Sequence, residues 1–420
     1  MKLQKILSNF QKLHPKEIDL SLDRIKNLCE KLGNPQDKIK AISFIGTNAK
    51  NSTISVIYSI LKEAGFKCNV YTSPHIQRIN ERFVYNNEQL NDDELADLFE
   101  EVQKINNNEP ITFFEILTAC YFYKAADYPD NINLIESGLF YKLDSSNVLK
   151  SNLASVVTAI SEDHLDWLPE NDRTIERIIF EKTSSLLNSN IIVAKQRDTK
   201  TIECIKKTIS ENKSNKYFFN EDFSFTDEEN GNWYYEDKFG GLKLPIPNIL
   251  GQFQLENIST AIATLRILDI GIKEEHIKKA ITKIESIARL QEIKSGKLKD
   301  LVKNNMLIVD GSHNQHGAQV LNEYLQTLNC NKHVIIGMMR NKEHDKYISY
   351  FKDISSITTI DIPNQNSISG KELKDKFKNH PNVQYQEGIE QAIKSVPLKE
   401  NDVLIITGSL YLAGEVLNLN

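Results

Sequence analysis

The fold class of this chain is decided by residues 44–83, which read FIGTNAKNSTISVIYSILKEAGFKCNVYTSPHIQRINERF. The apolar run Ile42 to Ile45 predicts a strand, Gly46 permits a tight turn, and the periodic apolar residues after Lys50 predict a helix. Such a unit places exposed backbone N–H groups and the positive end of a helix dipole where an anion can bind. Lys50 adds a positive charge toward terminal phosphates, and the hydroxyl side chains after it can ligate magnesium. The stretch therefore predicts a nucleotide-dependent enzyme.

The predicted phosphate loop, residues 46–53, departs from the full Walker pattern on both sides of its lysine. That pattern has glycine directly before the lysine and a hydroxyl residue directly after it, whereas this chain has Ala49 and Asn51. If Ala49 has a positive φ, its conformation costs roughly 1 kcal/mol or more, and its Cβ presses on the phosphate. For the loop taken alone, an ordinary strand-to-helix turn stays open as an alternative. The residues predicted to contact nucleotide are Gly46, Thr47, Asn48, Ala49, Lys50, Asn51, Ser52 and Thr53.

Composition limits the classes of protein that the chain can represent. Its 420 residues with 40% hydrophobic content can bury substantial cores and are typical of two domains. The formal charge of −6, with both signs interspersed, gives no basic surface for nucleic acid. No apolar run is long enough for a membrane span or a secretory signal, so we expect no membrane partner. The five scattered cysteines have no paired spacing, which is typical of the reducing cytoplasm.

The pattern of apolar segments is α/β from end to end. Buried strands are predicted at Ile132 to Glu136 and Ala154 to Ile160, each followed by polar residues, as at the ligand-binding edge of an open parallel sheet. Residues 211–245 alternate in short runs and predict a small β excursion, and a helix is predicted after it from Asn257 to Leu268. Towards the C-terminus the pattern restarts as a second, smaller doubly wound sheet. We therefore predict two domains, a P-loop-type domain at residues 1–287 and a Rossmann-like domain at residues 288–420.

Short motifs beyond the phosphate loop occur in order along nearly the whole chain. They are LHPKEIDL (13–20), TSPH (72–75), NER (80–82), TFFE (112–115), LIESGLFYKLDSSNV (134–148), DH (163–164), EK (181–182), GQFQ (251–254), ARL (288–290), DGSHN (310–314) and GSLY (408–411). Each is weak alone, but the ordered set resembles the folylpolyglutamate synthase/dihydrofolate synthase family, a branch of the ATP-dependent Mur-type amide ligases. That family's phosphate loop usually reads GTNGKGS. The resemblance implies a Mur-ligase-like first domain that binds ATP and pterin and a second domain that binds glutamate.

The predicted metal site combines one residue derived from the strand pattern with two that the resemblance implies. Glu136 ends a buried strand, where a carboxylate is costly to keep ionised unless it is paired or bound to metal. The resemblance implies that Ser73 and His164 are further ligands of Mg²⁺. A salt bridge of Glu136 and a purely structural role of His164 stay open as alternatives.

Lys182 matches the lysine that is carbamylated in this family. The modification turns a cation into an anion, which makes a lysine tolerable beside a metal ion. Without the resemblance, a solvated lysine on a helix is the simpler interpretation. Lys182 completes the predicted catalytic set with Lys50, His164 and His313. The predicted cofactors are ATP and Mg²⁺, with K⁺ or another monovalent cation as a further candidate.

Later motifs supply further nucleotide contacts by resemblance. Asn257 and Arg289 are expected to contact adenine and phosphate, and Asp310, at a strand end, is expected to contact the nucleotide. Arg289 sits near the domain boundary, where a guanidinium could clamp triphosphate, so ATP is expected between the domains. His313 is expected to face the incoming glutamate on the second domain, with an ordinary turn residue as the alternative.

The pterin substrate is expected near three segments that lie far apart in the sequence. Their residues are Ile18, Asp19, Leu20, Ser21, Thr112, Phe113, Phe114, Glu115, Leu143, Asp144 and Ser145. The family's GLGGRLD is GLFYKLD here, so Phe140 and Tyr141 replace two glycines and Lys142 replaces arginine. The family's HQ is Phe253-Gln254. Large side chains beside the pterin segment are expected to narrow or reshape it.

The chain is predicted to join L-glutamate to dihydropteroate, to the γ-carboxylate of a folate, or to both, through an acyl phosphate, with ADP and phosphate as the other products. Dihydropteroate or folate, L-glutamate and ATP are the expected partners of a monomer. Two alternatives stay open. The altered glycines favour a repurposed paralogue that binds nucleotide or folate without efficient catalysis. The second alternative is a Mur-type ligase that acts on another acid, such as a cell-wall precursor.

Overall fold

The computed structural model describes residues 2–16, 18–227, 232–351, 353–378 and 380–420. It divides into two compact units, Met1–Asn248 with Leu255–Glu285, and Ile249–Gln254 with Ser286–Asn420. Glu17, in the predicted N-terminal motif, lies outside the described residues. The functional division of the chain at residues 287 and 288 stays a prediction, and the compact units differ from it by placing residues 249–254 with the second unit.

The first unit is built from helices and strands in alternation. Its helices are α1 (Lys2–Phe10), α2 (Asp23–Lys31), α3 (Lys50–Glu63), α4 (Asp92–Asn106), α5 (Phe113–Ala125), α6 (Ile175–Thr183), α7 (Thr199–Thr208), α8 (Phe253–Leu268, begun in the second unit) and α9 (Glu274–Ala280). Its strands are β1 (Lys40–Ile45), β2 (Cys68–Tyr71), β3 (Phe83–Tyr85), β4 (Glu88–Gln89), β5 (Ile132–Glu136), β6 (Ala154–Val157), β7 (Asn190–Val193), β8 (Asn215–Phe218), β9 (Phe223–Asp227), β10 (Trp233–Asp237) and β11 (Leu242–Leu244).

An eight-stranded sheet of order β4-β3-β2-β5-β1-β6-β7-β8 organises the first unit. The neighbouring strands β2, β5, β1, β6, β7 and β8 pair in parallel, and β3 and β4 add an antiparallel edge. β1 is buried along almost its whole length, as expected of a central parallel strand covered on both faces. Since β5, β1 and β6 are adjacent and parallel, the loops that follow them meet at one edge of the sheet. Strands β9 to β11 form a separate antiparallel sheet within the predicted β excursion, whereas β8, which also lies in the predicted range, pairs in parallel with β7 in the main sheet.

The second unit repeats the α/β pattern on a smaller scale. Its helices are α10 (Lys297–Val302), α11 (Gln315–Gln326), α12 (His344–Ile348), α13 (Gly370–Lys376), α14 (Ile389–Ser395) and α15 (Leu410–Leu419). Its strands are β12 (Gln291–Glu292), β13 (Met306–Val309), β14 (Lys332–Ile336), β15 (Ser356–Ile360), β16 (Val383–Gln386) and β17 (Val403–Thr407). They form one sheet of order β12-β13-β17-β14-β15-β16, parallel except at β12. The two mainly parallel sheets confirm the predicted α/β class.

Two predicted element boundaries are wrong in ways that bear on the site. The strand predicted to reach Ile160 ends at Val157, because the Ala159 carbonyl accepts hydrogen bonds from the phosphate-loop amides of Thr47 and Asn48 rather than from a neighbouring strand. The helix predicted to begin at Asn257 begins at Phe253. None of the helices in the described ranges combines the length and apolar character that a membrane span requires.

Candidate active site

The phosphate loop connects β1 to α3 at the edge where the polar loops of the first sheet meet. Gly46 has φ 155°, and a Cβ placed there would lie 2.0 Å from the Thr158 hydroxyl oxygen, so only glycine fits. Thr47 donates its hydroxyl to the Ser161 carbonyl at 3.0 Å, and the Asn48 amide donates to the Ser161 hydroxyl at 3.0 Å. The loop after β6 therefore shapes the phosphate loop from one side.

Ala49 has a positive φ, the condition under which the sequence predicts strain in the phosphate loop. Its φ is 68° and its ψ is −3°, directly before the first residue of α3. A side chain with a Cβ pays roughly 1 kcal/mol or more for this conformation, whereas glycine does not. The chain therefore holds a strained residue at the turn of its phosphate loop, where strain is typical of functional sites.

Lys50, Ser73 and Glu136 are brought together from three segments. Lys50 Nζ donates to the carbonyl oxygens of Gly46 and Thr47 at 3.1 and 3.3 Å and lies 3.7 Å from Glu136 Oε1. The backbone N–H of Ser73 donates to Glu136 Oε2 at 3.2 Å. Both charged side chains are buried, so each depends on the other and on these hydrogen bonds for the stabilisation that water would otherwise give. The lysine is folded back onto its own loop.

Lys182 is buried rather than solvated. Its Nζ donates to the Gly46 carbonyl at 3.0 Å and to the Leu139 carbonyl at 2.7 Å. Burial and the positive charge of Lys50 lower the pKa of Lys182 to about 7, against the opposing carboxylates of Asp163 and Asp144. The amine thus links the phosphate loop to the loop after β5, which excludes the interpretation as a surface lysine.

His164 lies in the loop after β6, on which the phosphate loop rests. Its φ is 59°, a left-handed conformation that costs energy for a residue with a side chain. The backbone N–H of His164 donates to Asp163 Oδ1 at 2.9 Å. Within the described residues, no group of three or more His, Cys, Asp or Glu side chains could hold a metal ion. Magnesium is usually held by one or two protein carboxylates together with phosphates and water. The buried carboxylate of Glu136 fits that pattern, and Ser73 and His164 stay predicted ligands.

The residues predicted to bind pterin are tied together by an arginine that the sequence analysis did not single out. Arg24 contacts the carboxylates of Asp19 at 3.0 Å and Glu115 at 2.9 Å. Glu115 Oε2 also accepts from the Thr112 N–H at 2.8 Å, which closes the cap of α5. Oε1 of the buried Glu115 has no hydrogen-bond partner among the residues that the structure describes. The N-terminal motif and the TFFE motif are therefore joined through charge.

The third pterin segment is attached to α5 by hydroxyl groups. Thr118 and Ser145 approach with their hydroxyl oxygens 2.7 Å apart. Asp144 accepts from the N–H groups of Gly138 and Ser146, both at 2.9 Å, so its carboxylate organises the loop. Substrate contact by Asp144 stays a prediction beside this structural role.

The remaining pterin-segment residues surround this framework. Ile18 and Leu20 are half-buried against a core that contains Ile45 and Ile178, and Ser21 accepts from the Asp23 N–H at 3.2 Å. Phe113, Phe114 and Leu143 are half-buried as well.

Phe140 and Tyr141 are buried in that same core, with 2% and 0% of their surface exposed. Their aromatic side chains therefore pack inward beneath the loop.

His75 and Arg82, from the TSPH and NER motifs, form a contact in the same unit. Arg82 Nε donates to His75 Nδ1 at 3.0 Å, and its guanidinium lies 5.3 Å from the ring centroid of Phe114. Burial and the nearby Arg82 charge lower the pKa of His75 to about 4. His75 is therefore a neutral acceptor at neutral pH.

In the second unit, the ARL and DGSHN motifs are joined at the end of β13. Asp310 accepts from the N–H groups of Leu290 and Ser312, both at 2.9 Å. A Cβ added to Gly311 would lie 2.9 Å from Arg289 Nη1, so the guanidinium packs against this glycine. His313 Nδ1 lies 2.9 Å from the Gly311 carbonyl oxygen. The structure thus brings Arg289, Asp310 and His313 together, while Asn257 is buried on α8 of the first unit.

Two framework residues of this site were not predicted from the sequence. Arg24 lies on a helix among other charged residues, and Thr118 lies within the apolar run of α5. Neither has a local spacing signal, because the partners of both are distant in sequence. The one signal in the sequence is Glu115 itself, because a charged residue inside an apolar segment predicts a positively charged partner.

The fold and the phosphate loop define the class of protein. A parallel sheet with a phosphate loop after its central strand, followed by a second doubly wound unit, is the architecture of the Mur-type ligases. Residues 288–410 match the family model described as Mur ligase, glutamate ligase domain.

Comparison over the whole length narrows this class. The chain is 30% identical to the dihydrofolate synthase/folylpolyglutamate synthase of Haemophilus influenzae, over 97% of this chain and 95% of that protein. It is 28% identical to the Bacillus subtilis protein of the same name, over 94% of both. The chain therefore belongs to the dihydrofolate synthase/folylpolyglutamate synthase family, which confirms the resemblance seen in its motifs.

Solved structures share the fold. Escherichia coli FolC in complex with DHPP and ADP matches with a TM-score of 0.88 and 25% identity, over 99% of this chain and 97% of that chain. The folylpolyglutamate synthase of Thermotoga maritima matches with a TM-score of 0.82 and 24% identity, over 99% and 96% of the two chains. These likenesses confirm the predicted two-domain α/β fold.

Proposed function

We propose that this protein is an ATP- and Mg²⁺-dependent ligase that joins L-glutamate to dihydropteroate and to the γ-carboxylate of folates. The observation that carries the proposal is the similarity over nearly the whole chain to the Haemophilus influenzae dihydrofolate synthase/folylpolyglutamate synthase. The ADP and DHPP in the E. coli FolC structure support a nucleotide and a pterin as ligands here.

The first step is the activation of a carboxylate. A carboxylate oxygen of the pterin substrate attacks the γ-phosphorus of ATP, and ADP leaves. Lys50 can exchange the carbonyl oxygens of Gly46 and Thr47 for phosphate oxygens, while backbone N–H groups at the start of α3 contact the phosphates. A divalent cation at Glu136 neutralises phosphate charge when it is bound.

The second step forms the amide. The neutral amine of glutamate attacks the carbonyl carbon of the acyl phosphate, the C–O bond to phosphate breaks, phosphate leaves, and the proton of the new amide nitrogen passes to solvent. We assign the second unit to glutamate, with His313 facing it. The loop of Arg289, Asp310 and His313 is held rigid by hydrogen bonds to Asp310, as a binding site for a small substrate requires.

Several finer parts of the proposal stay predictions. They are the monomeric state, the cytoplasmic location, a monovalent cation such as K⁺, and carbamylation of Lys182. A repurposed paralogue that binds without catalysis stays the second candidate, because the left-handed Ala49 adds strain to the phosphate loop.

The test is phosphate release by the purified protein with ATP and Mg²⁺. Dihydropteroate plus L-glutamate and tetrahydrofolate plus L-glutamate are supplied in parallel, with each acceptor and glutamate also omitted singly. Release that requires both acceptor and glutamate, with a product heavier by one glutamyl residue, supports the ligase and identifies its acceptor. Nucleotide binding without release in either mixture would favour the repurposed paralogue.

A further inference from the structure

Three hydroxyl groups meet at the carboxyl edge of the second sheet, beside the Asp310 loop at residues 310–314. The hydroxyl oxygen of Tyr347, on α12, lies 2.9 Å from Thr407 Oγ1 and 3.1 Å from Ser312 Oγ. The Thr407 and Ser312 hydroxyl oxygens are 3.2 Å apart. These residues follow or end three different strands, β14, β17 and β13. The hydroxyl cluster therefore joins segments that are distant in the sequence.

The tyrosine hydroxyl also bonds to the main chain of the Asp310 loop. It lies 3.1 Å from the Ser312 carbonyl oxygen, and a carbonyl only accepts, so Tyr347 is the donor in this contact. The Thr407 and Ser312 hydroxyls can then donate within the cluster, which leaves no member unsatisfied. Burial raises the pKa of Tyr347, so the phenol stays a protonated donor at physiological pH.

The Ser312 carbonyl is held from a second side by the loop after β17. The backbone N–H of Gly408 donates to it at 3.1 Å. Gly408 has φ 105°, and a Cβ added there would lie 2.6 Å from the Gly337 carbonyl oxygen, so the tight approach of this loop requires glycine. A carbonyl oxygen has two lone pairs, and the two donors occupy both. The orientation of the peptide group between residues 312 and 313 is therefore fixed.

His313 takes its direction from this peptide group. The Ser312 carbonyl and the His313 N–H belong to one planar unit, so a donor that holds the carbonyl also orients the backbone of His313. The His313 ring is tied to the same loop, since its Nδ1 lies 2.9 Å from the Gly311 carbonyl oxygen. Asp310 instead accepts from the N–H groups of Leu290 and Ser312. The two ends of the loop thus depend on different contacts.

The ring of Tyr347 is anchored independently of its hydroxyl. It is fully buried, and its centroid lies 5.3 Å from that of Phe351 in the core of the second unit. A hydroxyl inside an apolar core costs free energy unless it is hydrogen-bonded, and phenylalanine would fill the same space without that cost. The distinctive contribution of a tyrosine at this position is therefore the contact of its hydroxyl with the Asp310 loop.

We propose that Tyr347 is a positioning residue for glutamate binding, because its buried hydroxyl fixes the peptide group between Ser312 and His313 and so directs His313 toward the amino acid. The inference rests on the proposed function, which assigns glutamate to the second unit with His313 facing it.

The first experiment measures the binding of L-glutamate without turnover. Isothermal titration uses full-length wild type, Tyr347→Phe and Tyr324→Phe, each saturated with Mg²⁺ and the ATP analogue AMPPNP. L-Glutamate should bind Tyr347→Phe about three- to tenfold more weakly, as expected for the loss of one positioning hydrogen bond. ADP with Mg²⁺, titrated separately, should bind all three proteins equally, because Asp310 keeps both of its amides.

Tyr324→Phe is the matched control, since Tyr324 lies on α11 and packs partly buried against the same core. It should bind both ligands as the wild type does. Equal affinity of the wild type and Tyr347→Phe for L-glutamate would overturn the proposal. So would an equal loss of affinity for ADP, because that result would indicate a general disturbance of the loop.

Steady-state kinetics separate positioning from a merely structural role. In Tyr347→Phe the KM for glutamate should rise by the same factor as the dissociation constant, while kcat and the KM for ATP stay at the wild-type values. A lower melting temperature with an unchanged KM for glutamate would show that the hydroxyl only stabilises the fold.

Thr407→Val keeps the proposal testable if Tyr347→Phe does not fold. The change removes the hydroxyl nearest to that of Tyr347 and leaves the contact of Tyr347 with the Ser312 carbonyl in place. L-Glutamate should therefore bind about two- to threefold more weakly. Thr359→Val is the control, since Thr359 is a buried threonine of the same sheet that donates to the Gly370 carbonyl at 2.7 Å instead. Equal glutamate affinities of the two threonine variants would contradict the role of the cluster.

Failure of this inference and failure of the proposed function give different results. A wild type that does not bind L-glutamate in the presence of AMPPNP and Mg²⁺ would overturn the positioning role. A wild type that binds L-glutamate but releases no phosphate with either acceptor would count against the ligase alone.

Discussion

The phosphate loop of the first unit and the Asp310 loop of the second unit both follow a parallel strand, but they satisfy buried polar groups differently. In the phosphate loop, the Lys50 and Lys182 ammonium groups share the Gly46 carbonyl, and Lys50 lies 3.7 Å from Glu136. In the second loop, both oxygens of Asp310 accept backbone N–H groups.

The difference separates groups that can change partners from groups that fix geometry. A lysine side chain folded onto backbone carbonyls can move to a phosphate, because its long side chain is flexible and the carbonyls are replaceable partners. A carboxylate that accepts two buried amides has no better partner, so removing it leaves both amides unsatisfied. Variants in the first loop should therefore affect ligand binding, and variants at Asp310 should affect folding.

Lys50→Ala is expected to have the largest effect. Phosphate release should fall about 100- to 1000-fold, because the charge that stabilises the transferred phosphoryl group is lost. The rise in melting temperature with ATP and Mg²⁺ should also disappear. Lys62→Ala, at an exposed position of the same helix, is the matched control. Unchanged stabilisation by nucleotide in Lys50→Ala would refute the phosphate role.

Asp310→Ala tests the other side of the comparison. Two buried N–H groups lose their acceptor, so the second unit should be destabilised by about 2–4 kcal/mol. Hydrogen exchange of peptides from residues 286–314, followed by mass spectrometry, should show faster exchange at Leu290 and Ser312. The exposed Asp353→Ala serves as control. Native exchange rates in Asp310→Ala would show that these bonds do not hold the loop.

The contact of His75 with Arg82 predicts that the stability of the first unit depends on pH. The pKa of His75 is about 4 in the folded chain and near 6.5 when unfolded, so the unfolded state takes up the proton first as pH falls. The contribution of His75 to the free energy of unfolding is therefore fully present above pH 6.5. It declines toward pH 4, by about 1–2 kcal/mol after allowance for the partial exposure of this group. Urea unfolding at several pH values should show a smaller decline for His75→Asn. An identical decline in both proteins would assign it to other groups.

Ala49→Gly is expected to have the smallest effect. Glycine removes the Cβ beside the phosphates, a contact worth about 1 kcal/mol in the bound state, so the KM for ATP should fall about three- to fivefold, whereas relief of the left-handed strain stabilises the fold with or without ATP. Asn107→Gly, at another left-handed residue at the end of α4, controls for the general effect of glycine in this conformation. An unchanged KM would mean that the loop accommodates the methyl group.

The site could be predicted where its signals are local in sequence. The strand before Gly46, the helix after Lys50 and the carboxylate at the end of β5 follow from apolar runs and turn residues, and the structure places all three at one edge of a sheet. The roles assigned to individual residues for substrate, metal and nucleotide stay predictions. Lys182 was predicted by resemblance alone, since its pattern on α6 is that of any helical lysine.

Partners that are distant in sequence could not be predicted. Arg24 contacts Glu115 across 91 residues, and Lys182 contacts Gly46 across 136 residues. No periodicity connects such positions, because their proximity depends on the order of strands in the sheet. The burial of Phe140 beneath its loop is a further consequence of packing that the replaced glycines did not reveal.

The sequence by itself determined the α/β class, the position of the phosphate loop and the family, because strands, helices and turns depend on neighbouring residues and the motifs keep their order. The tertiary structure alone decided that Ala49 is left-handed, that Lys50 folds onto its own loop, and that Lys182 is buried against Gly46 and Phe140. These features depend on which groups compete for the same buried acceptors. That competition exists only after the chain has folded and water has been removed from the charges.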